Sequence, residues 1–249
     1  MRLPGRCFSV TLYQTMRTND DILLFDIDNT LLRNSASHPQ AFHIGISTVY
    51  GSAGDVERID HHGMTDLQIL HEVLTREGVS ERVIGEGSQR CLELIAGAFS
   101  ELIRDEELVV LDGVPALLAE LSRRSHVLGL VTGNLESIAW QKLEKTDLAR
   151  FFSFGGFGSD DSIRSNLVKA AIKRAGALGF CTEKERVVLI GDTPRDVSAG
   201  RESGVRTIAV ATGLYSEEIL EKSGADGVLG SFHPIEDFLS LLERMGIRP

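Results

Sequence analysis

The sequence is poor in cysteine, poor in aromatic side chains and without any surplus of positive charge. Only three cysteines occur in 249 residues, Cys7, Cys91 and Cys181, far apart and odd in number. With no CxxC pair, they indicate neither a disulfide framework nor a zinc knuckle, and they suit a reducing compartment. Lys and Arg total 26 against 36 Asp and Glu, a net charge of −10. Counterion release needs a concentrated basic face, so this balance argues against nucleic acid or an anionic membrane surface as the main partner. No apolar run approaches the ~20 residues of a membrane span. The opening MRLPGRCFSVTLYQTMRTND lacks the continuous apolar core of a signal peptide. Residues 1–19 are therefore expected to form a loosely ordered extension, with Met16 a candidate start. The expected location is cytoplasmic.

What is present is the composition of a soluble globular chain, 42% hydrophobic and 25% charged, long enough to bury a core without staples. Short apolar runs alternate with amphipathic stretches. Residues 22–25, 127–131, 187–190 and 207–210 are strand-length and near-continuously apolar, the pattern of a parallel sheet covered on both faces. Helical periodicity follows at 114–121, 136–148, 167–175 and 234–245. This alternation predicts an α/β fold, a Rossmann-like doubly wound parallel sheet. One segment breaks it. Between the first two strands, only helical patterns occur (40–50, 66–77, 81–102), and a simple crossover needs far fewer residues. An inserted α-helical cap over 34–108 is expected, with the core formed by 20–33 and 109–249. Asp105-Glu106-Glu107 reads as a solvated hinge where the insertion rejoins the core, and Gly155-Gly156-Phe157-Gly158 reads as a turn.

Three strands end in polar clusters: Asp26-Ile27-Asp28-Asn29-Thr30, Thr132-Gly133-Asn134 and Gly191-Asp192-Thr193-Pro194-Arg195-Asp196. Ligands of open α/β sheets bind beyond the carboxyl ends of the strands. Asp26 and Asp28 are two apart in extended chain and can project the same way. Across the sheet Asp192 and Asp196 would join them. Two carboxylates ~4 Å apart at an effective dielectric of ~20 repel by ~4 kcal/mol. A hard divalent ion between them relieves that repulsion, and Mg²⁺ fits best. For an isolated acid, capping of the helix after Pro194 would be the simpler reading.

These motifs, in this order and separation, resemble the haloacid dehalogenase superfamily, particularly its phosphoglycolate-phosphatase-like branch, over about residues 21–245. The carriers are the DxDxT run Asp26–Thr30, the Thr132-Gly133-Asn134 cluster and the GDxxxD run Gly191–Asp196. The resemblance implies a nucleophilic Asp26, an acid/base Asp28, and phosphoryl contacts from Thr132, Gly133 and Asn134. It implies Mg²⁺ on Asp26, the Asp28 carbonyl and Asp192, with Asp196 more remote. The Lys-Pro pair usual in such phosphatases is missing. Arg164, just before the predicted helix, is favoured for that cation's role over Lys169, which falls inside it. In the insertion, Gly63-Met64-Thr65-Asp66 looks like the loop with which helical caps reach the site. Gly63 would approach substrate, while Thr65 or Asp66 would equally serve as a helix N-cap. His61 and His62 beside them would either meet an anionic substrate tail or sit in solvent.

The function expected is Mg²⁺-dependent hydrolysis of a small phosphorylated metabolite, phosphoglycolate-like, through an aspartyl-phosphate. A phosphosugar mutase of the same superfamily and a silent binding module are the alternatives. A monomer or a homodimer is equally compatible with the sequence.

Overall fold

The computed structural model describes residues 21–124 and 126–247; the expected extension over 1–19 lies outside them. Six parallel strands form one sheet: β1 (Ile22–Phe25), β2 (Val127–Thr132), β3 (Gly155–Phe157), β4 (Val187–Gly191), β5 (Arg206–Val210) and β6 (Gly227–Leu229). Their order is β3-β2-β1-β4-β5-β6, so the first strand among the described residues lies inside the sheet. Phe25 is level with Leu130 on one side and Ile190 on the other. The polar clusters that follow β1, β2 and β4 therefore emerge together at one edge.

Alternation along β1 divides the core. Leu23 and Phe25 join the cluster under α4 (Val114–Arg123) and α9 (Ile235–Arg244), with Leu118 and Phe238. Ile22 and Leu24 face the other way, against Leu167 and Val168 of α6 (Arg164–Ala177). Each such side chain contributes on the order of 1.5–3 kcal/mol by leaving water. α5 (Glu136–Lys145), α7 (Pro194–Ser203) and α8 (Glu217–Lys222) complete the helices associated with the sheet.

β3 corrects the reading of Gly155–Gly158 as a turn. Gly155–Phe157 pairs in parallel with Leu130–Thr132. A Cβ at Gly156 would lie 1.9 Å from the Leu167 carbonyl oxygen of α6. The glycines here serve close helix-on-strand packing.

Three further helices lie between β1 and α4: α1 (Ser37–Tyr50), α2 (Asp66–Arg76) and α3 (Glu81–Leu102). They share a separate apolar cluster around Phe42, Ile46, Leu70, Ile95 and Phe99, to which Leu135 and Ile138 of the sheet region also belong. Glu106 is more than a solvated hinge residue. Its carboxylate accepts from Ser35 Oγ at 2.6 Å, Ala36 N at 2.6 Å and Ser37 N at 3.2 Å. It thus satisfies the amino end of α1, whose own N-cap position, Ala36, has no side-chain acceptor. No helix of the described residues is long and apolar enough to cross a membrane.

Candidate active site

Asp26 follows β1 directly, and its backbone N–H donates to the Ile190 carbonyl at 2.9 Å, tying it to β4. Its carboxylate, with those of Asp192 and Asp196, forms a buried trio whose nearest oxygens lie within 4.8 Å of one another. Burial pushes the Asp26 carboxyl up to about 7, against the pull of Arg164, with Asp196 and Asp28 adding to the rise. Burial likewise lifts Asp192 to about 9, helped by the charges of Asp26 and Asp196. Thr30 Oγ1, at 3.5 Å, is the side chain that reaches Asp192. Buried carboxylates in this condition hold protons or take a cation. Hard, closely spaced oxygens of this kind fit Mg²⁺.

Asp196 is differently employed. Oδ1 accepts from Arg164 Nε at 2.8 Å and pairs with Nη2 at 2.6 Å. Oδ2 accepts from Thr193 Oγ1 at 2.6 Å and Thr193 N at 3.1 Å, within the capping box of α7. With both oxygens so engaged, Asp196 is first of all an anchor for Arg164. Arg164 opens α6 where the sequence reading put it just ahead of the helix, and it is buried. Its Nη2 lies 3.0 Å from Asp26 Oδ1, and its Nη1 donates to the Gly63 carbonyl at 3.2 Å. Lys169 is exposed on α6 and donates to Asn166, away from the trio.

Asp28 stands apart from that trio in its contacts. Lys142 Nζ donates to Oδ1 at 2.8 Å and Oδ2 at 2.7 Å, and Asn134 Nδ2 donates to Oδ2 at 2.7 Å. Burial would raise the Asp28 pKa, but the charges of Lys142 and His38 and these hydrogen bonds outweigh it and hold it below the usual range. The Asn134 side chain is engaged within the protein. Its amide hydrogens go to Asp28 and, at 2.7 Å, to Thr132 Oγ1, while its Oδ1 accepts from Lys142 at 2.7 Å. Thr132 Oγ1 accepts in these contacts and keeps its own hydrogen to donate.

Lys142 is the functional candidate that the motifs do not contain. It is 1% exposed and sits on α5 in one stripe with Ile138, Ala139 and Leu143. A lysine on an apolar helical stripe was the available signal, because such a cation is rarely buried unless paired. From Lys142 the contacts continue into the helices between β1 and α4. His38 Nδ1 lies 3.4 Å from Nζ, and its Nε2 is 3.3 Å from Asp66 Oδ1.

Thr65 is the N-cap of α2, in a capping box with Gln68. Asp66, the next residue, reaches back to the sheet: Oδ2 accepts from Leu135 N at 2.7 Å, and its N–H donates to the Gly133 carbonyl at 2.8 Å. A Cβ at Gly133 would fall 2.1 Å from the Met64 carbonyl oxygen, so that glycine admits the incoming loop. Gly63 has φ +73°, and a Cβ there would stand 2.6 Å from Thr193 Oγ1. Between this loop and the strand ends lies a cavity of about 350 Å³, bordered by Asp26, Asp28, Thr132 and Arg164 below and by Phe42 and Ile69 above.

Residues 23–210 match the family described as Haloacid dehalogenase-like hydrolase. The chain belongs to that family. Among its relatives, the phosphoglycolate phosphatase of Salmonella typhimurium is 23% identical over 232 residues, spanning 87% of this chain and 91% of that protein. The pyrophosphatase PpaX of Halalkalibacterium halodurans is 24% identical, over 89% of this chain and 98% of its own length. A hydrolase structure from Pseudomonas syringae shares the fold with a TM-score of 0.68, at 22% identity, over 89% of this chain and 98% of that one. The Rossmann-like doubly wound sheet expected from the sequence is the fold this haloacid dehalogenase-like hydrolase adopts.

Proposed function

We propose that the chain is a Mg²⁺-dependent phosphatase that hydrolyses a small organic phosphomonoester through an aspartyl-phosphate. The observation that carries this reading is the division of labour between two acids of one strand end. Asp26 lies in a buried carboxylate trio beside Arg164, and Asp28 lies beside Lys142 and Asn134. Two acids whose surroundings push their pKa values apart suit separate roles in one reaction. The names of the relatives point to phosphoglycolate or pyrophosphate as substrate classes for those proteins.

Asp26 and Asp192, with the Asp28 carbonyl, would hold Mg²⁺, which would supply positive charge against the phosphoryl oxygens and keep Asp26 ionised. An Asp26 oxygen attacks phosphorus in line, and the bond from phosphorus to the ester oxygen breaks. Asp28 gives that oxygen its proton. Resting Asp28 is held ionised beside Lys142, and the negative charge of an arriving phosphoryl group raises its pKa, so the proton is taken up with the substrate. Asp28 then takes a proton from the water that splits the aspartyl-phosphate, returning Asp26 and releasing phosphate. Arg164, fixed by Asp196, neutralises the phosphoryl oxygens through both halves, and the hydroxyl of Thr132 donates a hydrogen bond to them.

The test is phosphate release from a panel of small esters. The wild type should lose activity in chelator and regain it with Mg²⁺, and Asp26→Asn should be silent while folded. An Asp26→Asn protein that keeps more than a few per cent of turnover, with deamidation excluded, refutes the aspartyl-phosphate route.

A further inference from the structure

Above the phosphoryl end, the cavity continues into a chamber with apolar walls, Phe42, Val56, Met64 and Ile69. Its polar lining comprises acids, the imidazoles of His38, His61 and His62, and the neutral side chains of Asn34 and Ser35. Glu57 lines it, and Asp66 faces it from the amino end of α2. Among the described residues that line the cavity, Arg164 is the only Lys or Arg. That guanidinium is already committed to Asp26, Asp196 and the Gly63 carbonyl. The nearby cations are placed elsewhere. Lys142 is sealed beneath Asp28 and Asn134, and Arg58 pairs with Asp55 at the surface. Arg195 lines a separate groove and donates to the Asp60 carbonyl at 3.5 Å, with its charge reaching His62. His61 and His62 stack with centroids 4.6 Å apart, an arrangement that opposes charging both.

We infer that this chamber selects an uncharged, partly apolar alcohol as leaving group over one bearing a carboxylate or a second phosphate. The inference rests on the phosphatase reading and narrows it. A carboxylate placed against Phe42 and Ile69 would lose its water without gaining an uncommitted cation, since His38 is already shared between Asp66, 3.3 Å away, and Asp28, and it would face the like charge of Glu57. An alcohol chain gains by burying CH₂ groups there, at ~0.8 kcal/mol each, and its hydroxyls can bond to the imidazole of His62. His62 supports this, since burial, and then the neighbouring His61, hold its pKa below the ordinary value and keep it neutral. Of the two readings the sequence left for the histidine pair, an anionic substrate tail or solvent, this inference sets the first aside.

A matched pair of substrates tests the inference: 2-phosphoglycolate and its amide, 2-phosphoglycolamide, alike in shape and different in charge. With Mg²⁺ present, kcat/KM should favour the amide by about tenfold or more, and n-butyl phosphate should exceed 2-hydroxyethyl phosphate. Glu57→Lys, at an exposed position, should move the amide-to-carboxylate ratio toward the carboxylate by about fivefold or more. Equal or better turnover of phosphoglycolate, or a ratio that Glu57→Lys does not move, overturns the inference while leaving the phosphatase reading intact. Absence of Mg²⁺-dependent phosphate release from every ester, an activated aryl phosphate included, would remove both.

Discussion

Lys142 and Arg164 are two buried cations that divide the acids of the site between them. Asp28 keeps some exposure, 23% of its side chain, so breaking its ion pair should cost less than the 3–5 kcal/mol of a fully buried one. Lys142→Met should lower kcat by roughly tenfold or more, because Asp28 and Asn134 lose the contact that orients both. A denaturant melt of the same protein should show a loss of roughly 1–3 kcal/mol. Unchanged kcat would make Lys142 a packing residue only. Arg164→Ala should reduce kcat by on the order of a hundredfold, since its contact strengthens as charge develops on the phosphoryl group. Lys169→Ala should leave kcat within about twofold of wild type. Steady-state kinetics on one ester separates the two. The four acids of the site were legible because each follows a strand-length apolar run at a fixed offset. The apolar stripe that carries Lys142 was legible, but its partner was not, because only the fold brings a lysine of α5 against an acid beyond β1.

At the scale of elements, the loop before α2 is held to the sheet at several points: Asp66 to Leu135 and Gly133, Thr65 Oγ1 to Ser162 O at 3.3 Å, and Gly63 O to Arg164. Gly63→Val must adopt a left-handed φ that a β-branched residue resists, and it must displace Thr193. Because the Gly63 carbonyl also receives Arg164, the substitution should lower kcat on every ester, activated aryl phosphates included, with the circular dichroism spectrum unchanged. A loss limited to esters with poor leaving groups would assign Gly63 to the leaving group alone. Long elements with clear periodicity, β1 and α3 above all, were readable from apolar spacing. β3 was not, because its glycines answer to the backbone of α6 packed against them, a contact that no local pattern encodes. Glu106 escaped for a similar reason: in sequence it is one of three exposed-looking acids, and the backbone N–H groups it satisfies lie at the start of α1.

Taken as a whole, the molecule buries acids that without metal are held protonated, and this gives its stability a definite dependence on pH. Asp26 and Asp192 have folded pKa values raised above the unfolded value of 3.8, to about 7 and about 9. Their contribution is complete below the unfolded value and is lost as pH rises through the folded ones. His62, shifted downward, has the opposite slope, confined to the region below its ordinary value of 6.5. Between about pH 6.5 and 8.5 the chelated protein should therefore melt at progressively lower temperature. Mg²⁺ should raise Tm most at the alkaline end. Calorimetry at matched ionic strength checks both slopes, and a chelated Tm that rises across this window contradicts the protonated carboxyls. The clasp of Glu106 on Ser35 bears on how such a chain folds at all. β1 must find Val127 and its neighbours across the whole inserted segment, and closing a long flexible loop is slow and entropically unfavourable. Once α1 and α3 have packed through contacts nearer in sequence, Ser35 and Glu106 are held side by side, and of the chain between the two strands only residues 26–35 and 106–126 still have to close. An insertion whose ends meet leaves the pairing of β1 with β2 nearly as fast as a plain crossover would.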